Sequence, residues 1–457
     1  MARMTEETRA LRLTSKDNVA TLLSAVAPGG KAMVRDFSAA ANIGIEVIAR
    51  EAIPAGHKMA IEQIAPGDDI IKYGLAIARA SVAIAPGEHV HVHNAGSKAS
   101  SKPSPAMPQI PPTIISVQDL RSILSKFLAA RGVPGLVAEN LSDHLVEAHL
   151  RGVETHGIRR LMPYLARIDG HGVDAKAEPM IESIGGLLRV DGRNGLGHHV
   201  ATTAADAVAT AAEANGVAVA LVRNSSHFGF AGYYATRIAK RGMASMVTSN
   251  GQVMVGPHGA LRAIFSNDPI AIAAPLSADT FFEFDMATSV TSRANIVQAA
   301  SSGARLQPGQ ALDCDGFPTT DAKAAVNGIL LPFGGDKGFG LIAAIELLTG
   351  VLTGGPYADG VGSKELNAEM AEGTAHFMLA ISLQKALGCG LFMSRLNDMV
   401  ERIAMLPMRE GIPQPRHPGL RRWALRRERL KCGIPLSTVD ADTVRRLAQK
   451  IAVPHES

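Results

Sequence analysis

The chain has 457 residues, 46% of them hydrophobic and 4% aromatic, with a formal net charge of +4. That length exceeds one ordinary domain and allows sizeable cores. So small and dispersed a charge, with few aromatics to stack on bases, argues against nucleic acid as a partner, and no run of about 20 uninterrupted apolar residues is present to span a membrane.

The first residues, Met-Ala-Arg-Met-Thr-Glu-Glu, lack the apolar core of a secretory signal. Cys314, Cys389 and Cys432 are far apart and form no C-x-x-C pair, so reduced thiols and a cytoplasmic location are expected. Residues 1–96 read as a small, mainly β domain. Ile43 to Ala49, Ile70 to Tyr73 and Ala80 to Ile84 suit short strands, and Ala65-Pro-Gly-Asp and Ala85-Pro-Gly-Glu are turn signals. No internal repeat of useful length is visible. On a strand, His91 and His93 project from one face, either as a metal-ligating pair or as a plain surface pair. Lys58, Lys72 and His57 are alternative ligands for a carboxylate. No metal is assigned.

Residues 97–113 are a Pro/Ser-rich linker that cannot bury enough apolar surface to order itself. The domain from 114 to 457 opens with a helix capped at Ser116 and running through Leu128, then a helix from about Gly135 to Arg151, then one following Thr155 to about Ile168. Helix and strand alternate after that. Ala201–Asn215 and Ala231–Arg241 are helical; Gly216–Arg223, Ala244–Thr248, Ala271–Ala274, Phe281–Phe284, Ile329–Phe333 and His376–Ile381 are extended. Leu341–Leu352 and most of Ser382–Leu406 are helical. This pattern predicts a mixed α/β domain. The basic run Arg421, Arg422, Arg426, Arg427, Arg429 and Lys431 reads as a solvated helix face, with an acidic partner surface as the alternative.

Chemistry-bearing residues gather in several motifs. In Thr155-His-Gly-Ile-Arg-Arg160 and Tyr164, a helix would set His156, Arg160 and Tyr164 on one face, where the guanidinium can grip a carboxylate and the other two can bond an adjacent oxygen. Asn-Ser-Ser-His227-Phe-Gly comes after an apolar strand, the position at which α/β sheets hold ligands, and an imidazole there can exchange a hydroxyl proton. His198 and His199 are weaker candidates, since Gly-Leu-Gly-His-His reads equally as a turn. Asp285-Met286-Ala287-Thr288-Ser289 offers small residues for a flat ring and hydroxyls for an amide or ribose; its plainer reading is a helix N-cap. Gly334-Gly335-Asp336-Lys337-Gly338 lies between strand and helix, suited to a phosphate, or is simply a Gly-rich turn. Gly338-Phe-Gly-Leu-Ile-Ala343 matches the dinucleotide fingerprint too weakly to indicate a Rossmann unit.

Taken in order, these motifs, with Asn-Gly-Leu-Gly-His, Asn-Asp-Pro-Ile-Ala and Asp-Gly-Phe-Pro-Thr-Thr-Asp, resemble the malate/L-lactate dehydrogenase family that is distinct from Rossmann-type lactate dehydrogenases. Sulfolactate, ureidoglycolate, diketogulonate and piperideine-carboxylate enzymes belong to it. The resemblance spans about 115 to 450. It implies NAD or NADP dependence, an unusual nucleotide-binding fold and a homodimer with sites near the interface. It also implies that His227 moves the proton, that His156 and Arg160 address the substrate beside Thr155 and Tyr164, and that Asp285–Thr288 and Gly334–Gly338 meet the nucleotide. Three departures stand out: Pro257-His-Gly-Ala260 in place of Pro-x-Gly-Gly, Asp336 at a position more often aromatic or polar, and no acidic residue after Pro418-Gly419. They bear on cofactor preference and loop contacts.

The small domain, with Asp17-Asn-Val-Ala, Gly56-His-Lys-Met-Ala, Ile71-Lys-Tyr-Gly and His91-Val-His-Asn94, resembles the SAF domain of altronate and galactarate dehydratases and the small subunit of sulfolactate sulfo-lyase; Ile77-Ala-Arg79 departs from the usual Ile-Gly. The large catalytic part of such lyases is missing, so elimination would need a separate large subunit. Sulfolactate connects the two resemblances, and 3-sulfolactate/3-sulfopyruvate is the expected substrate pair. Malate, lactate or another 2-hydroxy acid is the alternative, and a non-catalytic scaffold a further one.

Overall fold

The computed structural model describes residues 8–12, 14–36, 44–72, 75–91, 93–96, 113–362, 368–409 and 412–452. They fall into two units, 1–110 and 111–457. Most of the expected linker, 97–112, and Tyr73 of the strand expected at 70–73 lie outside the described residues. Among the described residues no helix is long and apolar enough to cross a membrane.

The small unit is built from strands in a six-stranded and a three-stranded sheet. It contains a short repeated turn, where no internal repeat of useful length was expected. Turns at Gly29, Gly56, Gly67 and Gly87 all take positive φ, between 76° and 88°, which glycine adopts without steric cost. Each turn comes after a buried aliphatic residue, Val26, Ile53, Ile64 or Ile84, and these bridge pairwise, Val26 to Ile53 and Ile64 to Ile84. The repeat is also written in the sequence, as Val26-Ala-Pro-Gly29, Ile53-Pro-Ala-Gly56, Ile64-Ala-Pro-Gly67 and Ile84-Ala-Pro-Gly87, a four-residue unit at uneven spacing. It also corrects the strand expected at Ala80–Ile84: the strand is Leu75–Ala80, and Ser81 and Val82 enter the turn. His91 and His93 are not on a strand. The last strand of the six-stranded sheet closes at Val90, and Asn94 N–H returns to the His91 carbonyl (3.0 Å) to form a turn.

The large unit is organised by a seven-stranded sheet. Its order is Met180–Ile184, Leu187–Asp191, Val217–Ser225, Thr374–Ser382, Met243–Ser249, Ile270–Pro275 and Phe281–Met286. Only Leu187–Asp191 and Val217–Ser225 run parallel; the other pairings are antiparallel. This is a mixed α/β architecture without the parallel sheet of a doubly wound fold. Helices Gly197–Asn215 and Ala231–Ala239 share one hydrophobic core with the sheet. In the first of them Ala201, Ala204, Ala205, Ala209 and Ala212 are buried, and short side chains let helix and sheet approach closely.

A second core joins helices Val117–Ala130, Gly135–Leu150, Leu161–Asp169 and Thr438–Ala452. Ser116 caps the first, its side chain accepting from Asp119 N–H. Thr113–Ile115 pairs with Ile434–Leu436, so the two ends of this unit are stitched together.

Three local expectations are corrected. The segment after Thr155 is not one helix: 3-10 turns at Glu154–His156 and Ile158–Arg160 precede Leu161–Asp169. The break arises at Gly157, where a Cβ would collide with the His149 ring; the Nε2 of that ring meets Ile158 N–H at 3.1 Å. His198 and His199 are in the first turn of helix Gly197–Asn215, not in a loop. Asp285 and Met286 end a strand; the next helix, Arg293–Ser302, is capped instead by Ser292.

Candidate active site

Val217–Ser225 loses register against Thr374–Ser382 between Val222 and Ser225, and Asn224 takes φ 53° there. Such a bulge bends a strand and re-aims the residues beyond it. Among these is His227, half-buried on the wall of a cavity of about 220 Å3. Its backbone N–H donates to Glu372 Oε2 at 2.8 Å, and Glu372 is itself paired with Arg167 at 3.0 Å. Its Nδ1 lies 2.8 Å from the Tyr164 hydroxyl. Burial pushes the Tyr164 pKa well above its ordinary value, with Glu372 adding to the effect despite Arg160, so this hydroxyl keeps its proton.

The opposite wall comes from the two 3-10 turns. The His156 ring lies 6.0 Å from that of His227, the planes 9° apart, and its Nδ1 is 3.1 Å from the Thr155 hydroxyl. Arg160 Nε donates to the Thr155 carbonyl at 3.0 Å, which leaves the two terminal nitrogens of the guanidinium for a ligand. Thr155, His156, Arg160, His227, Asp285, Met286 and Ala287 all line the cavity; Tyr164 stands behind His227. His198 and His199 do not line it: His198 packs edge-on against Tyr164 (4.7 Å) and His199 bonds Asn140 (2.9 Å).

Other residues of the site were not singled out from sequence. Glu372 sits in an unremarkable Ala-Glu-Gly-Thr stretch that gave no signal. His376, wholly buried, links Ser249 and Ser225 through its two ring nitrogens, each at 2.8 Å, and stacks on Phe228 at 4.4 Å; burial pulls its pKa down to about 3, so the ring is neutral. Arg422 also lines the cavity. The basic run to which it belongs is helix Leu420–Cys432, and only part of it is solvated. Arg421, Arg427 and Lys431 are exposed, whereas Arg422 bonds Asp285 (2.7 Å) and Glu283 (3.0 Å), Arg426 bonds Glu147 (2.7 Å) and Arg429 bonds Glu154 (2.8 Å). The buried acids Glu147 and Glu283 require these cations, and their distance in sequence hides the pairing. A second cavity, of about 660 Å3, adjoins the first through Val153, Thr155 and Arg422; its charged lining is Arg151, Arg159, Arg421 and Arg429 with the acids Glu154 and Asp440.

Residues 115–447 match malate/L-lactate dehydrogenase. The chain belongs to the malate/L-lactate dehydrogenase family. It is 33% identical over 316 residues to the (2R)-3-sulfolactate dehydrogenase (NADP(+)) of Chromohalobacter salexigens, covering 69% of this chain and 92% of that one. It is 31% identical over 340 residues to a Δ1-pyrroline-2-carboxylate/Δ1-piperideine-2-carboxylate reductase of Pseudomonas syringae pv. tomato, covering 74% and 97%. Among solved structures, the sulfolactate dehydrogenase of Methanocaldococcus jannaschii superposes with a TM-score of 0.69 at 28% identity, over 75% of this chain and 98% of that one. Residues 8–98 match the altronate/galactarate dehydratase SAF domain.

In this member of the malate/L-lactate dehydrogenase family, the residues expected to meet a nucleotide adjoin one another. Phe333 N–H donates to the Thr288 carbonyl (2.9 Å), which brings Gly334–Gly338 beside Asp285–Thr288, although Gly334–Gly338 do not line the smaller cavity. Gly334 and Gly335 both have φ 63°, and a Cβ at either would meet nothing within 4 Å. That open cradle stands before helix Asp336–Glu346, whose N-terminal backbone donors suit a phosphate. The hydroxyl of Thr288 and the side-chain oxygen of Gln252 are buried without a partner. A dinucleotide fits this set of donors and acceptors.

Proposed function

We propose that the large unit interconverts a 2-hydroxy acid and its 2-keto acid with NAD or NADP, and that 3-sulfolactate and 3-sulfopyruvate are its substrate pair. The observation that carries this reading is the convergence of His156, His227 and Arg160 on one cavity walled by Met286 and Ala287. Arg160, anchored through Nε, grips the substrate carboxylate in a bidentate fork. His156 polarises the C2 oxygen. His227 takes the hydroxyl proton in oxidation and returns it in reduction; with Nδ1 engaged by Tyr164, that proton moves at Nε2. The nicotinamide, when bound, accepts or supplies the hydride. Asp285–Thr288 and Gly334–Gly338 hold the dinucleotide.

The second cavity beside Thr155 offers the exposed Arg421 to a second anionic group, its other arginines being paired with carboxylates, and this supports sulfolactate, and next malate, over lactate. The SAF unit supports the sulfolactate choice as a module serving a separate lyase large subunit. The working form is a homodimer. Helix Cys389–Ala404, with no buried residue and with Leu391 and Met399 exposed, supports that assembly.

A spectrophotometric panel tests the proposal: sulfolactate, malate and lactate, each with NAD and NADP. Turnover of sulfolactate is expected, and His227→Ala should lower kcat by about 10²–10⁴-fold. Preferential turnover of malate would transfer the assignment to the alternative reading. No turnover of any 2-hydroxy acid, with tight binding of a lyase subunit, would leave a scaffold.

A further inference from the structure

The small unit gathers histidines more closely than the sequence suggested. His89, not singled out by motif, lies between the rings that were. The ring centres of His57 and His89 are 5.0 Å apart, those of His89 and His91 5.1 Å, and those of His57 and His91 5.4 Å. His93 lies 5.8 Å from His89 and 6.4 Å from His91. His57 Nδ1 and His89 Nε2 are 2.9 Å apart.

The backbone builds this arrangement. Lys58 pairs with Val90 and Met59 with His89, so continuing the register sets His57 opposite His91. Asn94, buried, then locks the loop: its side chain accepts from His91 N–H (3.0 Å) and donates to the His89 carbonyl (2.9 Å). Glu51 accepts from His89 N–H at 3.0 Å. His57 and His89 are half-buried, whereas His91 and His93 are exposed and leave the cluster open to solvent.

We infer that the small unit carries a site for a divalent transition-metal ion of the imidazole-preferring class, zinc or cobalt, held by His57, His89 and His91 with His93 closing the fourth position. An ion roughly 2.0–2.1 Å from each ligand nitrogen puts ring centres about 3.2 Å from it, so two rings on tetrahedral positions stand about 5.2 Å apart. The three observed separations bracket that distance. Two nitrogens sharing such an ion are about 3.3 Å apart; His57 Nδ1 and His89 Nε2, 2.9 Å apart in a direct hydrogen bond, need only separate slightly to admit it. Among the described residues no group of three or more His, Cys, Asp or Glu side chains is already disposed to hold an ion. Closing the site takes rotation of the His91 and His93 rings, which their exposure permits.

The test is titration of the full, chelator-treated chain with Zn²⁺ alone by calorimetry, and with Co²⁺ alone by visible absorption. One ion per chain is expected, with the ligand-field bands of tetrahedral cobalt. Losing an outer-shell partner already costs about 10–100-fold in affinity, so removing two ligands in His57→Gln/His91→Gln should cost more than about 100-fold. The NAD-linked rate should be unchanged in that variant. If it does not keep the far-UV circular dichroism of the parent, the single exposed change His91→Gln carries the test and should still remove the tetrahedral bands. No binding by the parent chain overturns the inference. So does binding unaltered by these substitutions, which would put the ion among the large unit's histidines.

Discussion

Glu147 lies at one end of a chain of alternating charges that finishes at the cavity wall. Arg426 meets its carboxylate through Nη2 (2.7 Å) and Nε (3.0 Å), and Arg151 through Nε (3.0 Å). Arg151 reaches on to Glu283 (3.3 Å), and Glu283 to Arg422 (3.0 Å), which holds Asp285 (2.7 Å). Burial works against the Glu147 charge, but Arg151 and Arg426 outweigh it and bring the carboxyl from its ordinary 4.5 down to about 2. At roughly 1.4 kcal/mol per tenfold change in proton affinity, the charged form contributes about 3 kcal/mol. Glu147→Gln keeps one acceptor and the shape but removes the charge, leaving the almost fully buried Arg151 with Glu283 alone. The expected loss at pH 7 is about 3 kcal/mol, within the roughly 3–5 kcal/mol seen when one partner of a buried pair is removed.

The folded value lies below the unfolded one, so this contribution is fully present above about pH 4.5 and is lost only as pH falls toward 2. The difference between parent and variant should therefore stay flat from pH 8 to 5. Urea unfolding followed by fluorescence is the assay. The chain has one tryptophan, and Trp423 sits 4.6 Å from the Arg151 guanidinium and 5.6 Å from that of Arg426, so its emission reports this network. A loss below about 1 kcal/mol, or one that halves between pH 8 and 5, would refute the reasoning.

Three further outcomes are expected. Arg160→Lys replaces a fork with a point charge and should lower kcat/KM about 10–100-fold, mainly through KM; an unchanged KM would remove the carboxylate from Arg160. Tyr164→Phe deletes the hydroxyl at His227 Nδ1, and the unpaired nitrogen should cost about 1–3 kcal/mol, read as a fall in kcat with a displaced pH–rate profile. His144 and His149 are both shifted downward by burial, and His376 to about 3. The unfolded chain takes up these protons first as pH falls through about 6.5, so stability is full above that pH and declines below it. His376 alone, neutral in the folded chain down to about pH 3, gives a slope of about 1.4 kcal/mol per pH unit below about pH 6.5, and His144 and His149 add to it in the same direction; the urea midpoint between pH 7 and 5 measures it.

The legible parts of this molecule are those with local causes. Ser116 announces a helix because its side chain satisfies a donor three residues on. The helices and strands after Gly197 arise from apolar runs and alanine-rich stretches. Thr155–Arg160 and His227 are readable because each motif concentrates chemistry in a few adjacent residues. The unreadable parts depend on partners remote in sequence. Nothing near Thr374–Ser382 says that it pairs with both Val217–Ser225 and Met243–Ser249. Arg422 looks solvated until Glu283 and Asp285, well over a hundred residues earlier, are set against it. His89 looks ordinary until the ladder brings His57 across.

That central strand also explains why the site can be both loop-borne and rigid. His227 and the His156–Arg160 turns lie outside regular strands, where backbone can be re-aimed toward a ligand. Loops alone would leave such groups mobile, and a proton transfer needs its donor and acceptor held at hydrogen-bond distance. Here the restraint comes from the sheet. Glu372, just before Thr374–Ser382, fixes the His227 backbone, and His376, two residues into that strand, is tied to Ser225 and Ser249 on both neighbours and stacks beneath Phe228. Asp285, at the end of the edge strand, is held from the other side by Arg422. The side chains of the candidate site are thus placed by loops and stiffened by buried polar contacts rooted in strands. Such contacts are worth most in the interior, where a neutral imidazole or a paired carboxylate has no water to fall back on.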